Sequence, residues 1–105
     1  MIVVRDIFEI SHDTLEAAEP VIRELGAAGF QAGLGPARVM RDRTNAYFAR
    51  SDSESRLVIE REFPTIESFT ERTSSARENE DWQAAWTACK PFVHRAWREV
   101  LDTVD

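Results

Sequence analysis

The stretch "FVHRAWREVL", residues 92–101, places a histidine, two arginines and a glutamate among strand-forming residues. The chain begins with a similar stretch, "IVVRDIFEI", residues 2–10. Both are rich in β-branched and aromatic residues, which predicts two β-strands. If these strands are antiparallel neighbours whose paired residue numbers sum to 104, their opposite charges face one another. This register bears on whether these charges are structural or belong to a functional site.

The register brings together three pairs of opposite charge: Arg5 with Glu99, Asp6 with Arg98, and Glu9 with Arg95. It also pairs Val4 with Val100, Ile7 with Trp97, and Ile10 with His94. Opposite charges across a strand pair stabilise it by a few tenths of a kcal/mol up to ~1 kcal/mol each, whereas a buried unpaired charge costs several times more. We therefore interpret these charges as structural, and extend that interpretation to the charges of the central strand, Glu60 and Glu62 on either side of Arg61.

The first connection has helical periodicity. Within "SHDTLEAAEPVIRELGAAGF", residues 11–30, the apolar positions recur every three or four residues at Leu15, Ala18, Ile22 and Leu25. Asp13 and Glu16 fit a capping box. Pro20 predicts a kink, or a regular helix that begins only near Glu19.

The remaining segments complete an alternating order. Strand-like pieces occur at 37–42 and 45–50 ("NAYFAR"), and the second strand is expected within about residues 37–50. A further strand is predicted at 56–63. Two helical segments follow at 64–77 and 78–90, with Thr65 and Asn79 as expected N-caps. The order β-α-β-β-α-β predicts an α+β, ferredoxin-like domain over residues 1–105. It has a four-stranded antiparallel sheet in the order 4-1-3-2, with the helices on one face.

Composition excludes several classes of protein. The net charge of −6 and the absence of a basic stripe argue against nucleic-acid binding. No apolar run approaches the ~20 residues of a membrane span, and no signal-peptide pattern is found, so a cytoplasmic protein without membrane association is expected. Cys89 is the only cysteine, which rules out an internal disulfide and favours a structural role for its thiol.

Four stretches together resemble one known superfamily: "IVVRDIFEI", "RLVIEREFPTIESF", "NEDWQAAW" and "PFVHRAWREVL". They are similar to the dimeric α/β-barrel superfamily, and within it to NIPSNAP-like proteins. The resemblance implies a barrel formed by a homodimer. It does not imply one activity, because that superfamily hosts several unrelated chemistries. The residues also favour a homodimer, since the sheet face without helices would otherwise expose Ile7, Val58 or Ile59, Trp97 and Leu101.

Aromatic residues mark a candidate ligand site between the sheet and the helices. We predict that it binds a small apolar or aromatic molecule through Tyr47, Trp82, Trp86 and Phe92. His94 is the candidate catalytic residue, because imidazole is a common general base near neutral pH. The alternative is that the aromatics only fill the core and that His94 is a satisfied residue at the strand end.

Other functions remain open at this point. The resemblance implies, as the main alternative, a cofactor-independent monooxygenase or isomerase. Haem binding or degradation is disfavoured, because the related haem-degrading proteins use an Asn on the first strand together with a Trp and a His. Here the first strand has Asp6 instead, and no histidine follows Trp82 on its helix. His12 and His94 share no metal-ligand spacing, so neither a metal nor a cofactor is expected.

Overall fold

The structure is a computed structural model that describes residues 1–43 and 54–104. Its elements follow the predicted order: β1 (Ile2–Ser11), α1 (Leu15–Gly29), β2 (Arg38–Arg41), β3 (Glu54–Phe63), α2 (Ile66–Ala76), α3 (Glu80–Cys89) and β4 (Val93–Asp102). The predicted strand at 45–50, and Tyr47 with it, lies outside the described residues. Within the described chain, no helix is both long and apolar enough to cross a lipid bilayer.

The four strands form one antiparallel sheet in the order β2-β3-β1-β4, which confirms the predicted order. The predicted register between β1 and β4 is also confirmed from Ile2 to Glu9. The pairing predicted beyond it was wrong, because Ile10 faces Val93 instead of His94. A β-bulge shifts the register between Glu9 and Ile10, and it leaves His94 between two paired residues of β4.

The ion pairs follow this register only in part. Arg98 binds both carboxylate oxygens of Asp6, with Nε 2.6 Å from Oδ1 and Nη2 3.2 Å from Oδ2, as predicted. The partners predicted for Arg5 and Glu9 on β4 were wrong, since both residues pair with β3 instead. Arg5 lies 2.8 Å from Glu60, and Glu9 lies 3.3 Å from Arg56. The reason is that β1 is a central strand, so each of its charges has candidate partners on two neighbours.

Helix α1 starts differently from the prediction. The chain enters it through a short 3-10 turn, His12–Thr14, and the predicted capping box does not form. Thr14 is the N-cap residue, and its hydroxyl donates to the Ser11 carbonyl at 3.2 Å. The helix begins at Leu15, not near Glu19, and runs through the solvent-exposed Pro20. The helix loses one backbone hydrogen bond at Pro20, because proline has no N–H group to donate.

The other two helices begin at the predicted caps. The Thr65 hydroxyl accepts a hydrogen bond from the Ser68 amide at 3.1 Å, and the Asn79 side chain accepts one from the Trp82 amide at 3.0 Å. Such caps stabilise a helix by about 1 kcal/mol each, because they satisfy amides that have no intrahelical partner. They also fix the starting point of α3, and therefore which of its side chains face the sheet.

The helix-facing side of the sheet carries two apolar clusters separated by charged residues. The first cluster contains Phe8 and Ile59, and the second contains Val4 and Phe63. Since alternate residues of a strand share one face, Asp6 lies between Phe8 and Val4 on β1, and Arg61 lies between Ile59 and Phe63 on β3. With Arg98 on β4, these residues form what we call the polar row: Arg61, Asp6 and Arg98.

Arg61 connects β3 to α1. Its Nη2 donates to the Gly26 carbonyl at 3.0 Å, in a buried position. Gly29 makes room for this contact, because a Cβ atom there would lie 2.2 Å from the same Nη2. The close approach of α1 to the sheet therefore depends on a residue without a side chain at position 29.

Replacing Gly29 with Ala should lower the free energy of unfolding, whereas the matched change Gly26→Ala should not. A Cβ at Gly26 meets Val39 at an ordinary 3.6 Å, and alanine gains about 1 kcal/mol of helix propensity over glycine. At Gly29 the new methyl group displaces the Arg61 guanidinium from its buried acceptor, which costs about 1–3 kcal/mol. Urea denaturation measures both variants, and equal stabilities would contradict this account of Arg61.

The variants Asp6→Asn and Arg98→Met, made singly and together, test the ion pair of the polar row. Each single change should destabilise the protein by about 1 kcal/mol, a modest figure because the pair is partly exposed. The double variant should lose less than the sum, since it leaves no unmatched partner. Strictly additive losses in chemical denaturation would show that the two residues do not stabilise each other.

Candidate functional site

A cavity of about 490 Å³ lies between the helix-facing side of the sheet and the helices. It lies at the polar row between the two apolar clusters, since it is bordered by members of both. Its apolar walls include Phe8, Leu25, Leu34, Ile59, Trp82 and Trp86. The polar row lies beside these walls, so the cavity combines an aromatic surface with charged groups.

Helix α3 supplies the two aromatic walls that the sequence predicted. Trp82 and Trp86 are four residues apart, so they share one face of the helix, and both border the cavity. Both are partly buried against the first apolar cluster. The Trp86 ring lies 6.1 Å from the Phe8 ring between centroids, in a tilted arrangement. The two residues are therefore held by packing, and each still presents surface to the cavity.

Trp97 also borders the cavity, which the sequence analysis did not predict. It lies on the edge strand β4, opposite Ile7. On the sheet face away from the helices its ring is covered by two guanidinium groups, with the Cζ atoms of Arg95 and Arg56 at 4.6 Å and 5.4 Å from the ring centroid. The Trp97 ring thus lies on the opposite face of the sheet from Trp82 and Trp86, although the residue borders the cavity.

Four of the described residues that border the cavity are charged: Asp6, Arg61, Arg77 and Arg98. The Asp6 carboxylate is occupied by Arg98 through both oxygens. Arg98 in turn lies over the Phe69 ring, with its Cζ 5.4 Å from the centroid. Arg77 follows the last turn of α2 and is exposed. Arginine is therefore the principal charged group that the cavity presents.

Arg61 is the most buried of these charges, at 6% exposed. Beyond its bond to Gly26, its Nε is buried and has no hydrogen-bond partner in the described part of the protein. Burial lowers the pKa of Arg61, and the nearby Asp6 carboxylate offsets part of that effect. The sequence contains a signal for this residue, since an arginine between Ile59 and Phe63 occupies a core-facing position. The structural interpretation of the central strand covered Glu60 and Glu62, and the hydrogen bond of Arg61 is to a backbone carbonyl.

The other predicted site residues lie elsewhere. Phe92 is partly buried and packs against the first apolar cluster, but it is not among the residues that border the cavity. His94 is exposed on β4 and is also outside that lining. Tyr47 lies outside the described residues. A ligand-binding role for the aromatics and a catalytic role for His94 remain predictions.

The described residues do not favour nucleophilic chemistry by the cysteine or binding of a metal ion. Cys89 is completely buried, and its thiol donates to the Val21 carbonyl at 3.6 Å. Burial raises the pKa of Cys89 to about 11, so the thiol stays protonated at neutral pH and is a poor nucleophile. Among residues 1–43 and 54–104, no three His, Cys, Asp or Glu side chains cluster as metal ligands would.

Comparisons with known proteins give one consistent fold. No protein-family model and no curated protein matches the sequence. A crystal structure of a NIPSNAP family protein from Agrobacterium tumefaciens is similar, with a TM-score of 0.76 and 18% identity over 99% of this chain and 93% of that one. An uncharacterised NIPSNAP domain protein from Burkholderia xenovorans gives a TM-score of 0.74 and 13% identity over 99% and 95% of the two chains. An antibiotic biosynthesis monooxygenase gives 0.70 and 16% over 100% of both. The chain therefore has the ferredoxin-like α+β fold that NIPSNAP proteins and antibiotic biosynthesis monooxygenases share.

Proposed function

We propose that this protein is a homodimeric, NIPSNAP-like protein that binds a small planar aromatic molecule in the cavity between the sheet and the helices. The observation that carries the proposal is the cavity itself, with Trp82 and Trp86 on one wall and Phe8 on the sheet. Its volume of about 490 Å³ lies within the range of roughly 300–1,000 Å³ that is typical of small-molecule sites.

The walls favour an aromatic ligand over an aliphatic one. Flat rings pack against tryptophan faces or edges in offset and tilted arrangements, which adds about 0.5–1.5 kcal/mol per pair beyond the area buried. Trp86 already has such a contact with Phe8 on its core side, so it offers a fixed surface and not a mobile side chain. A preformed wall loses little conformational entropy when the ligand binds.

The open face of the sheet supports association into a homodimer. Helices cover only one face, and Val58 of β3 and Trp97 of β4 lie on the other. Ile7, expected to be exposed in a single chain, is only 6% exposed, because it is flanked by both of those side chains. Leu101, at 40% exposed, and the half-buried Val58 remain for contact with a second copy.

One group of charges on the open face, Glu60 with Arg5 and Arg38, is already paired, which favours burial at an interface. The Glu60 carboxylate accepts from Arg5 at 2.8 Å and from Arg38 at 2.6 Å, and it is only 8% exposed. These two arginines hold the pKa of Glu60 below its usual range. A surface whose carboxylate is already neutralised loses less solvation energy when a partner covers it.

A cofactor-independent monooxygenase is the second candidate. The observation that favours it is the likeness to an antibiotic biosynthesis monooxygenase over the whole length of both chains. In such a reaction a planar carbon acid loses two hydrogens and gains one oxygen atom from O₂, while the other oxygen leaves as water. His94 is the candidate base.

With anthrone as substrate, His94→Ala should abolish oxygen uptake, whereas the control His12→Ala should not. Equal rates of oxygen uptake in the two variants would remove His94 from the mechanism.

A cavity-filling variant tests the binding site. Ala96 of β4 borders the cavity and is exposed, whereas Ala84 of α3 is exposed and is not among the lining residues. Ala96→Trp should weaken the binding of naphthamide, a neutral planar probe, by about ten-fold or more, since the new ring occupies the space of the ligand. Ala84→Trp should leave it unchanged. Isothermal titration calorimetry measures both, and equal affinities of the two variants would contradict the proposed position of the ligand.

A charge placed on the open face tests the dimer. Sedimentation equilibrium at tens of micromolar should give twice the 12.0 kDa of one chain. Val58→Glu should shift this mass to the monomer, because it buries an unpaired carboxylate at the contact. The control Ala84→Glu, on an exposed helix position, should remain dimeric. Circular dichroism checks that both variants are folded. A monomeric unmodified protein would contradict the proposed dimer.

A further inference from the structure

We infer that the molecule bound in this cavity is an aromatic acid, and that the buried guanidinium of Arg61 binds its anionic group. This inference rests on the proposed ligand site and adds the chemical class of its occupant. It is carried by the position of Arg61, by the hydrogen-bonding state of its side chain, and by the balance of charge around the cavity.

A guanidinium has five N–H donors, and burying them without acceptors is costly. For Arg61, the described chain supplies one acceptor, the Gly26 carbonyl at 3.0 Å. The Nε group is buried and has no partner. A carboxylate fits a guanidinium well, because its two oxygens match two parallel N–H groups in one plane. Of the common ligand groups, a planar anion is therefore the best match for the unmet donors of Arg61.

The acidic residue of the polar row is hydrogen-bonded to Arg98 and not to Arg61. Both oxygens of this residue, Asp6, bind Arg98. Among the described residues, the charged lining of the cavity consists of one aspartate and three arginines, with a net charge of +2. The whole chain has a net charge of −6. An excess of positive charge inside a cavity of an acidic protein favours an anionic ligand over a neutral or cationic one.

Position and shape point to the same ligand. The polar row separates the two apolar clusters, and the cavity is bordered by residues of both clusters and of the row. A ligand with its ring beside Trp82 and Trp86 and its acid group toward Arg61 would match both parts of this lining. In this arrangement the aromatic walls supply most of the apolar contact, and Arg61 selects the charge.

A purely structural role for Arg61 is the competing explanation. The Gly26 carbonyl lies near the C-terminal end of α1, where the helix dipole is negative, so Arg61 could serve only to hold that helix. The two explanations differ in one measurable property. A structural arginine gives the cavity no preference between an acid and its neutral isostere, whereas a binding arginine does.

The experiment compares naphthoate with naphthamide, which have nearly the same shape and differ in charge at neutral pH. Isothermal titration calorimetry on the unmodified protein should show naphthoate binding about ten-fold or more tightly, the size expected of a charge-assisted hydrogen bond. Arg61→Met should abolish this preference and retain naphthamide binding. The control Arg77→Gln, at the exposed edge, should keep most of the preference, since exposed charges are screened by salt.

The outcomes separate the two proposals. Equal affinity of the unmodified protein for both probes would overturn the aromatic-acid inference and leave the ligand site standing. No binding of either probe would overturn the ligand site itself. If Arg61→Met does not fold, the comparison of the two probes in the unmodified protein still tests the inference. The variant Gly29→Ala, which displaces the same guanidinium, is then used in place of Arg61→Met. A preference that persists in a folded Arg61 variant would also reject the assignment.

Discussion

Strand β1 forms hydrogen-bonded ladders with β3 on one side and β4 on the other, and most of the structure depends on this central position. Its even-numbered side chains point toward the helices and its odd-numbered ones toward the open face, because neighbouring residues of a strand alternate. A one-residue shift against either neighbour would exchange the two faces. The register thus decides at once which residues form the core and which charges meet.

The charges on β1 make this constraint stricter. Asp6 points into the helix-facing side, where an unpaired carboxylate would be costly, and Arg98 of β4 neutralises it there. Arg5, on the open face, meets Glu60 of β3. Each side of the sheet therefore joins β1 to a different neighbour through an ion pair. The polar row also interrupts the apolar core, and the interruption is where the cavity is found.

The two faces of the sheet suit different tasks. The helix-facing side combines a cavity with aromatic walls and a buried guanidinium that lacks a carboxylate partner among the described residues. The open face combines the paired charges of Arg5, Arg38 and Glu60 with a few apolar side chains. In the proposed function, the first arrangement binds a small molecule and the second associates with another copy. Both depend on the same alternation along β1 and β3.

The order of elements, the strand order, the helix caps and most of the β1–β4 register could be predicted from the sequence, because each rests on local or pairwise patterns. Periodicity marks the strands and helices, Thr65 and Asn79 have the side chains that N-caps require, and opposite charges at matching positions indicate the pairing. Trp82 and Trp86 could be placed together for the same reason, since their spacing puts them on one face of a helix.

Only the tertiary structure decided the partners of Arg5 and Glu9, the bulge beside His94, and the position of Arg61. A central strand has two neighbours, so pairing rules for one neighbour cannot tell which will bind a given charge. Arg61 shows this most clearly. Its sequence position between Ile59 and Phe63 indicates that it faces the core, but its bond to the Gly26 carbonyl depends on how closely α1 approaches at Gly29. That distance is set by packing between segments far apart in the chain, which no local pattern contains.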